Sequence, residues 1–337
     1  MILQSTITFL TLGLYTAALA MTPTALDPVR TVFEFPNNTY VENLAVRSNG
    51  QILVSVLTKP QLFLIDPSAP GQSEAILVHE FAGSLGVSGI AEYQPDVFAV
   101  ITGNFSFETG DVGVGSWNVW SVDLRGVHIT NVSPAHFLNG ISLLSQAEST
   151  LMIGDINVGD IYRLDVLTSN YEVVINNTFT AAVPAPPFPL AGVDGVRVHN
   201  GSSLFFTNIG KGTFNKVSIN IDGTPVGPIT TLANTLTATD EYDDFTFDCD
   251  GNAFLVTGGG NSIEMISADG RKQIIIAGRA NSTAIAEPTS CAFGRGSLDK
   301  NVLYVVTAGG LAVPVNGETT IGGQLVAVTT NSRGNVC

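Results

Sequence analysis

A motif recurs along this chain at intervals near fifty residues, and that period constrains the fold more than any other feature. Glu42-Asn43-Leu44-Ala45-Val46 leads to the turn Asn49-Gly50 and an apolar run over 51–56. Asp194-Gly195-Val196-Arg197-Val198 leads in the same way to Asn200-Gly201 and 203–208, and Asp243-Asp244-Phe245-Thr246-Phe247 to Asp250-Gly251 and 252–257. Each copy sets apolar residues two and four after a polar lead, then a tight Asn/Asp-Gly turn, then a second apolar segment. This is the signature of two strands joined by a hairpin. Weaker copies start at Ser88, Asn139 and Thr289, giving lead positions 46, 51, 55, 49 and 46 residues apart. A third strand follows each pair, and helical periodicity is nearly absent. Six four-stranded units predict an all-β, six-bladed β-propeller, with a solenoid as the structural rival. The isolated strand-like segment 29–35 favours the propeller, because it can add the outermost strand of the last blade and close the ring.

The rest of the sequence bounds the protein's circumstances. Its 337 residues are 45% hydrophobic and 13% charged, which argues against disorder. The net charge of −15, without clustered Lys or Arg, argues against nucleic-acid binding. Residues 1–20 are apolar, uncharged and end in Ala18-Leu19-Ala20, as a secretory signal peptide does. An uncleaved anchor is the rival reading. No later segment is apolar for long enough to span a bilayer, so no membrane association is expected after cleavage. Sequons at Asn37, Asn104, Asn131, Asn176, Asn200 and Asn281 add the expectation of a glycosylated protein of the secretory pathway or extracellular space. The expected organisation is a signal peptide over 1–20, one propeller domain over 25–330 and a tail over 331–337. A monomer is expected. The usual zinc, P-loop, dinucleotide and serine-hydrolase motifs are absent.

In a propeller the first strand of each blade lines the central channel. The lead residues Glu42, Ser88, Asn139, Asp194, Asp243 and Thr289 should therefore ring one mouth. Strand starts favour such residues as turn formers in any case, yet six polar groups converging on one point also suit a hard cation or a polar substrate. The long segments 103–116, 178–193 and 308–322 fall on the same face. Segment 178–193 is apolar and proline-rich, and Phe179, Phe188 and Leu190 are candidates to wall an apolar substrate pocket. A linker packed on its own prolines is the alternative.

These motifs, spread over most of the chain, resemble the senescence-marker-protein/gluconolactonase family of six-bladed propellers. The resemblance implies a divalent cation, calcium or similar, held by Glu42, Asn139 and Asp194. It also implies an acid/base carboxylate at Asp243 or its neighbour Asp244, and substrate contact at Ser88, where the family carries Asn; Thr289 completes the polar mouth. Within this group the Pro/Phe-rich mouth resembles the fungal hetero-Diels–Alderases of tropolone–sesquiterpenoid biosynthesis. That likeness implies joining a tropolone-derived quinone methide to a humulene-type alkene, with a small apolar substrate and no required cofactor. A metal-dependent lactonase and a non-enzymatic binding propeller remain the alternatives.

Three cysteines occur, Cys249, Cys291 and Cys337. Cys249 and Cys291 differ by four residues in repeat register, roughly 13 Å at ~3.3 Å per residue. That exceeds the ~7 Å Cα separation a disulfide tolerates. The expectation is that the C-terminal tail brings Cys337 to Cys249 and leaves Cys291 a buried thiol, unless a sheared register defeats it.

Overall fold

The structure, a computed structural model, describes residues 26–68, 73–123, 126–132, 134–186, 188–237 and 240–334. The leader segment 1–20 and Cys337 lie outside the described residues. Six four-stranded antiparallel sheets follow one another along the chain. Blade 1 comprises Val41–Val46, Ile52–Val56, Gln61–Ile65 and Ala75–Glu80. Blade 2 comprises Gly86–Gln94, Val97–Gly103, Asn118–Asp123 and Gly126–Asn131, and blade 3 Leu138–Ser145, Thr150–Asp155, Asp160–Asp165 and Asn170–Asn176. Blade 4 runs through Val193–His199, Ser203–Asn208, Thr213–Ile219 and Pro225–Asn234. Blade 5 runs through Tyr242–Phe247, Ala253–Thr257, Ser262–Ile266 and Gln273–Gly278. Blade 6 takes Pro288–Phe293, Val302–Thr307 and Gly322–Thr329 from the end of the chain, and Val29–Asn37 from its beginning as the outermost strand. The first strand of each blade touches the first strand of the next, and that of blade 6 touches that of blade 1. The array is therefore a closed six-bladed β-propeller, in which the short inner edge of each blade is enclosed within the ring.

Alternation along the strands explains the burial. Second strands are nearly continuous apolar runs, because both of their faces pack against neighbouring blades. Outer strands alternate or are largely exposed, as in Ala75–Glu80 and Pro225–Asn234.

One regularity was not read from the repeat. Every inner strand breaks register with its second strand at its lead residue: between Val41 and Leu44, Val87 and Ile90, Leu138 and Ile141, Val193 and Val196, Tyr242 and Phe245, and Pro288 and Ser290. A bulge re-aims a side chain that ordinary pleating would bury between sheets. Four of the six leads so placed, Glu42, Asn139, Asp194 and Asp243, meet one another. Glycine follows three leads for a steric reason. A Cβ at Gly140 would collide with the main-chain oxygen of Asp194, and one at Gly195 would stand 2.6 Å from Asp244 Oδ1. The Asn-Gly and Asp-Gly pairs thus allow the inner strands of blades 3, 4 and 5 to approach one another.

Hydroxyl groups stitch neighbouring blades. Ser88 Oγ donates to Leu138 O at 2.9 Å, Thr207 Oγ1 to Asp243 O at 2.6 Å, and Thr289 Oγ1 to Val41 O at 2.7 Å across the closure. The C-terminal segment returns to blade 5, where Cys249 N donates to Arg333 O at 2.8 Å. Cys249 is disulfide-bonded, while Cys291 is a free thiol buried between blades 5 and 6.

Candidate functional site

Four of the six lead side chains meet at one end of the channel. Asn139 Nδ2 donates to Glu42 Oε1 at 2.7 Å, and Asn139 also hydrogen-bonds Asp194. Asp194 in turn hydrogen-bonds Asp243. All four are buried. Burial, then mutual repulsion among the carboxylates, pushes Asp194 and Asp243 well above the usual carboxylate range. Glu42 is pushed up to about 7, chiefly by burial, against the lowering effect of its bond from Asn139. A hydrogen bond between the Asp194 and Asp243 carboxyls requires that the pair hold a proton. The ring therefore keeps a carboxylic acid available near neutral pH.

Ser88 and Thr289 do not join this ring. Both are fully buried, and their hydroxyls are spent on the blade-to-blade bonds described above, so neither offers a polar group to substrate. Asp244 is also diverted. Its Oδ2 receives Arg197 Nη2, Ser290 Oγ at 2.8 Å and Asn43 Nδ2 at 3.2 Å, while Oδ1 receives Phe245 N at 2.8 Å. Arg197 reaches on to Ile141 O at 3.2 Å. This lower tier draws together blades 1, 3, 4, 5 and 6 beneath the acid ring. With its acceptors so occupied, Asp244 is held in the lower tier, while Asp243 belongs to the acid ring.

An apolar cavity of about 310 Å³ lies at the same mouth, lined by Asn38, Thr58, Phe105, Phe107, Gly110, Phe188, Pro189, Leu311 and Ala312. All three long segments contribute to it. Segment 178–193 holds a short hairpin, Val183–Ala185 with Phe188–Ala191, which presents Phe188 and Pro189 to the cavity. Phe179 and Leu190 are instead 37% and 41% exposed and stand outside that lining. Asn208 Nδ2 clamps the carbonyls of Phe179 and Ala181, which fixes the segment's base while the Phe179 ring stays at the surface.

A chain of aromatic rings links the cavity to the blade core. Trp117 stacks on Phe137 at 4.7 Å, Phe137 lies 4.8 Å from Phe105, and Phe105 meets Phe107 at 4.7 Å and Phe188 at 6.0 Å. Trp117 Nε1 donates to Val112 O at 2.8 Å and so pins segment 103–116. Phe107 packs on Tyr40, 5.1 Å between centroids, and Tyr40 stands two residues before Glu42. Tyr40 and Phe105 were missed in the sequence because both precede or follow strands without any repeat signal.

Glu287 anchors the third wall. Its carboxylate accepts Ala312 N at 3.1 Å and Val313 N at 3.0 Å, and its own backbone is left-handed, with φ 51°. Burial pushes Glu287 up to about 8 and neighbouring Glu241 up to about 7. A carboxyl whose folded pKa exceeds its unfolded value contributes stability that is complete below about pH 4.5 and is lost as pH rises through 7 to 8. The thermal midpoint should therefore fall by several degrees between pH 6 and 8.5, and Glu287→Gln should flatten part of that fall. A midpoint constant over this range would show that these carboxyls ionise freely in the folded protein.

The ring also fits a hard cation in its donor chemistry. Asn139 Oδ1 and Asp194 Oδ2 are buried without a partner beside the Glu42 carboxylate, an all-oxygen set. Among the described residues no three His, Cys, Asp or Glu side chains form a metal-binding group, so the amide oxygen of Asn139 would be a necessary ligand. Of the sequons, Asn37, Asn131, Asn176, Asn200 and Asn281 are exposed, while Asn104 is half-buried and accepts from Leu85 N at 3.1 Å.

Known proteins resemble this chain in sequence and in fold. The sequence is similar to two proteins named as hetero-Diels-Alderases. A "putative hetero-Diels-Alderase" of Phoma sp is 27% identical over 320 residues, covering 85% of this chain and 88% of that protein. "Putative hetero-Diels-Alderase asR5" of Sarocladium schorii is 25% identical over 313 residues, covering 82% and 77%. No family model matches the chain. Among solved structures, a luciferin-regenerating enzyme superposes with a TM-score of 0.68 at 17% identity, over 91% of this chain and 97% of that one. The calcium-binding protein regucalcin from Agrobacterium tumefaciens gives 0.60 at 14%, over 91% and 97%, and a "putative gluconolactonase" 0.60 at 13%, over 92% and 95%. At these identities the structural likeness is one of fold, a gluconolactonase/regucalcin-like six-bladed propeller.

Proposed function

We propose that the protein is a hetero-Diels-Alderase. In this reading it joins an oxygen-containing heterodiene, a tropolone-derived quinone methide, to an alkene of a humulene-type sesquiterpene. The observation that carries the reading is the aromatic-walled cavity joined to the acid ring through Tyr40 and Phe107. Similarity over most of the chain to two proteins of that name supports it. A cycloaddition needs no nucleophile, and its barrier falls when two partners are held in near-attack geometry. Phe105, Phe107 and Phe188 would hold the alkene partner.

The acid ring supplies what the cavity lacks. The precursor of the heterodiene carries a leaving hydroxyl and an enol. Asp243, protonated, gives its proton to the departing hydroxyl, which leaves as water. The enol proton passes to a neighbouring carboxylate of the ring, and the heterodiene forms beside the alkene. No electrons are exchanged with a cofactor in this sequence.

The direct test is to incubate the purified protein with the precursor and the sesquiterpene and to follow the cycloadduct against the uncatalysed reaction. Phe188→Ala should slow adduct formation about tenfold, since losing an orienting wall contact costs about 1.4 kcal/mol of transition-state stabilisation. Unchanged turnover in that variant would remove the cavity from the mechanism.

The unpartnered oxygens of Asn139 and Asp194 favour a second reading, a metal-dependent lactonase. A divalent cation held by Glu42, Asn139 and Asp194 would supply Lewis-acid polarisation of an ester carbonyl. In that case Asp243 would hold and deliver water. Chelator treatment separates the two readings, because lactone hydrolysis should vanish while cycloaddition persists.

A further inference from the structure

Two of the nine residues that line the apolar cavity carry polar side chains, Asn38 and Thr58. Asn38 stands in the turn between Val29–Asn37 and Val41–Val46, and Thr58 follows Ile52–Val56 of blade 1. The three long segments supply the rest of the lining, with apolar side chains and Gly110. Hydrogen bonds hold the two polar positions together. Tyr40 N donates to Thr58 Oγ1 at 3.1 Å, and Leu57 N donates to Tyr40 O at 2.9 Å. Thr39 O accepts from Gly323 N of blade 6 at 3.0 Å, so the turn that carries Asn38 is fixed from two blades.

The turn by itself does not account for the Asn38 side chain. Its backbone is left-handed, with φ 66°, a conformation that Gly adopts at least as readily as Asn. The residue is exposed, and its amide has no hydrogen-bond partner among the described residues. Thr58 Oγ1 accepts from Tyr40 N, which leaves the hydroxyl proton to donate. One wall of an otherwise apolar cavity thus offers a donor-acceptor amide beside a donor hydroxyl. A few fixed polar groups in such a cavity set the orientation of its ligand.

We propose that Asn38 and Thr58 are specificity-determining residues of this cavity, which recognise a ring bearing a carbonyl and a hydroxyl on adjacent carbons. The inference rests on the hetero-Diels-Alderase reading and names the contacts that orient its oxygenated partner. A primary amide matches that pair of oxygens: its N–H donates to the ligand carbonyl while its oxygen accepts from the ligand hydroxyl. The Thr58 hydroxyl adds a second donor. A hydrocarbon ring leaves these groups to water, so it gains nothing on this wall and packs on Phe105, Phe107 and Phe188 instead. The cavity thereby sorts the two partners by polarity before they react.

The test compares the binding of two probes, tropolone and tropone, which lacks the hydroxyl. Both are followed by absorbance in mildly acidic buffer, which keeps tropolone protonated. Wild type should bind tropolone about tenfold more tightly than tropone. Asn38→Gly, which suits the left-handed backbone and keeps the Asn37-x-Thr39 sequon, should abolish that preference. Thr58→Val should reduce it and Thr58→Ser restore it, each variant being confirmed folded by its thermal midpoint. Phe188→Ala should weaken both probes alike and leave the preference intact. Cycloaddition against buffer is measured in parallel. If wild type catalyses it and Asn38→Gly retains the wild-type preference, the hetero-Diels-Alderase reading stands and this inference is overturned. If wild type shows no acceleration, that reading falls, while a preference lost in Asn38→Gly still supports the recognition pair. Wild type that binds neither probe, or both equally, overturns the inference.

Discussion

Replacing Arg197 by Met should destabilise the propeller by about 3 kcal/mol, because it strands a charge inside the channel. The Asp244 side chain is only 2% exposed, and Arg197 is its one cationic partner among the described ion pairs. The remaining bonds from Ser290 and Asn43 are neutral and cannot balance the charge. The Ile141 carbonyl loses a donor at the same time. Arg197 itself keeps 21% side-chain exposure, so water can partly replace it, and the lower end of the usual 3–5 kcal/mol range for breaking a buried pair is expected. Adding Asp244→Asn should recover part of the loss, since the double variant removes the stranded charge. Denaturant unfolding of the two single variants and the double variant measures this. A loss under about 1 kcal/mol would mean that the pair behaves like a solvated surface bridge.

For Asp243→Asn the expected loss is catalytic. Removal of a positioned general acid typically costs about 10²–10⁴ in rate. Formation of the heterodiene from its hydroxylated precursor should slow by about a hundredfold. Cycloaddition of a pre-formed heterodiene should change little, because Asp243 acts before the two partners combine. The amide can still donate to Asp194, so the ring's hydrogen bonding largely survives. Rapid mixing with each substrate separates the two steps. Equal losses on both would assign Asp243 to orienting the substrate rather than dehydrating it.

Much of the architecture was legible because it depends on period. Polar leads, Asn/Asp-Gly turns and alternating apolar residues recur every fifty residues or so, and each copy can bury its faces only against the next. The inner, second and third strands of all six blades follow from that arithmetic, as does the meeting of Glu42, Asn139, Asp194 and Asp243. The offset between Cys249 and Cys291 was legible for the same reason, since register along neighbouring strands is a count of residues. The tight hairpins opposite the mouth were also written locally, in turn residues that tolerate φ > 0.

Tertiary structure alone decided what each lead side chain does. Ser88 and Thr289 occupy the same repeat position as Asn139 and Asp194. Their short hydroxyls reach a neighbouring carbonyl, whereas a longer amide or carboxylate projects into the ring. Asp243 and Asp244 are adjacent in sequence, but the bulge turns one toward the ring and hands the other to Arg197. The sequence offered Phe188 and the three long segments for the cavity wall, but not Phe105, Phe107 and Leu311 within them, because those segments share no period. Repeats encode strands through local alternation. The bulges, the partners of each polar atom and the convergence of irregular segments depend on contacts between residues far apart in the chain, and those exist only once the ring has closed.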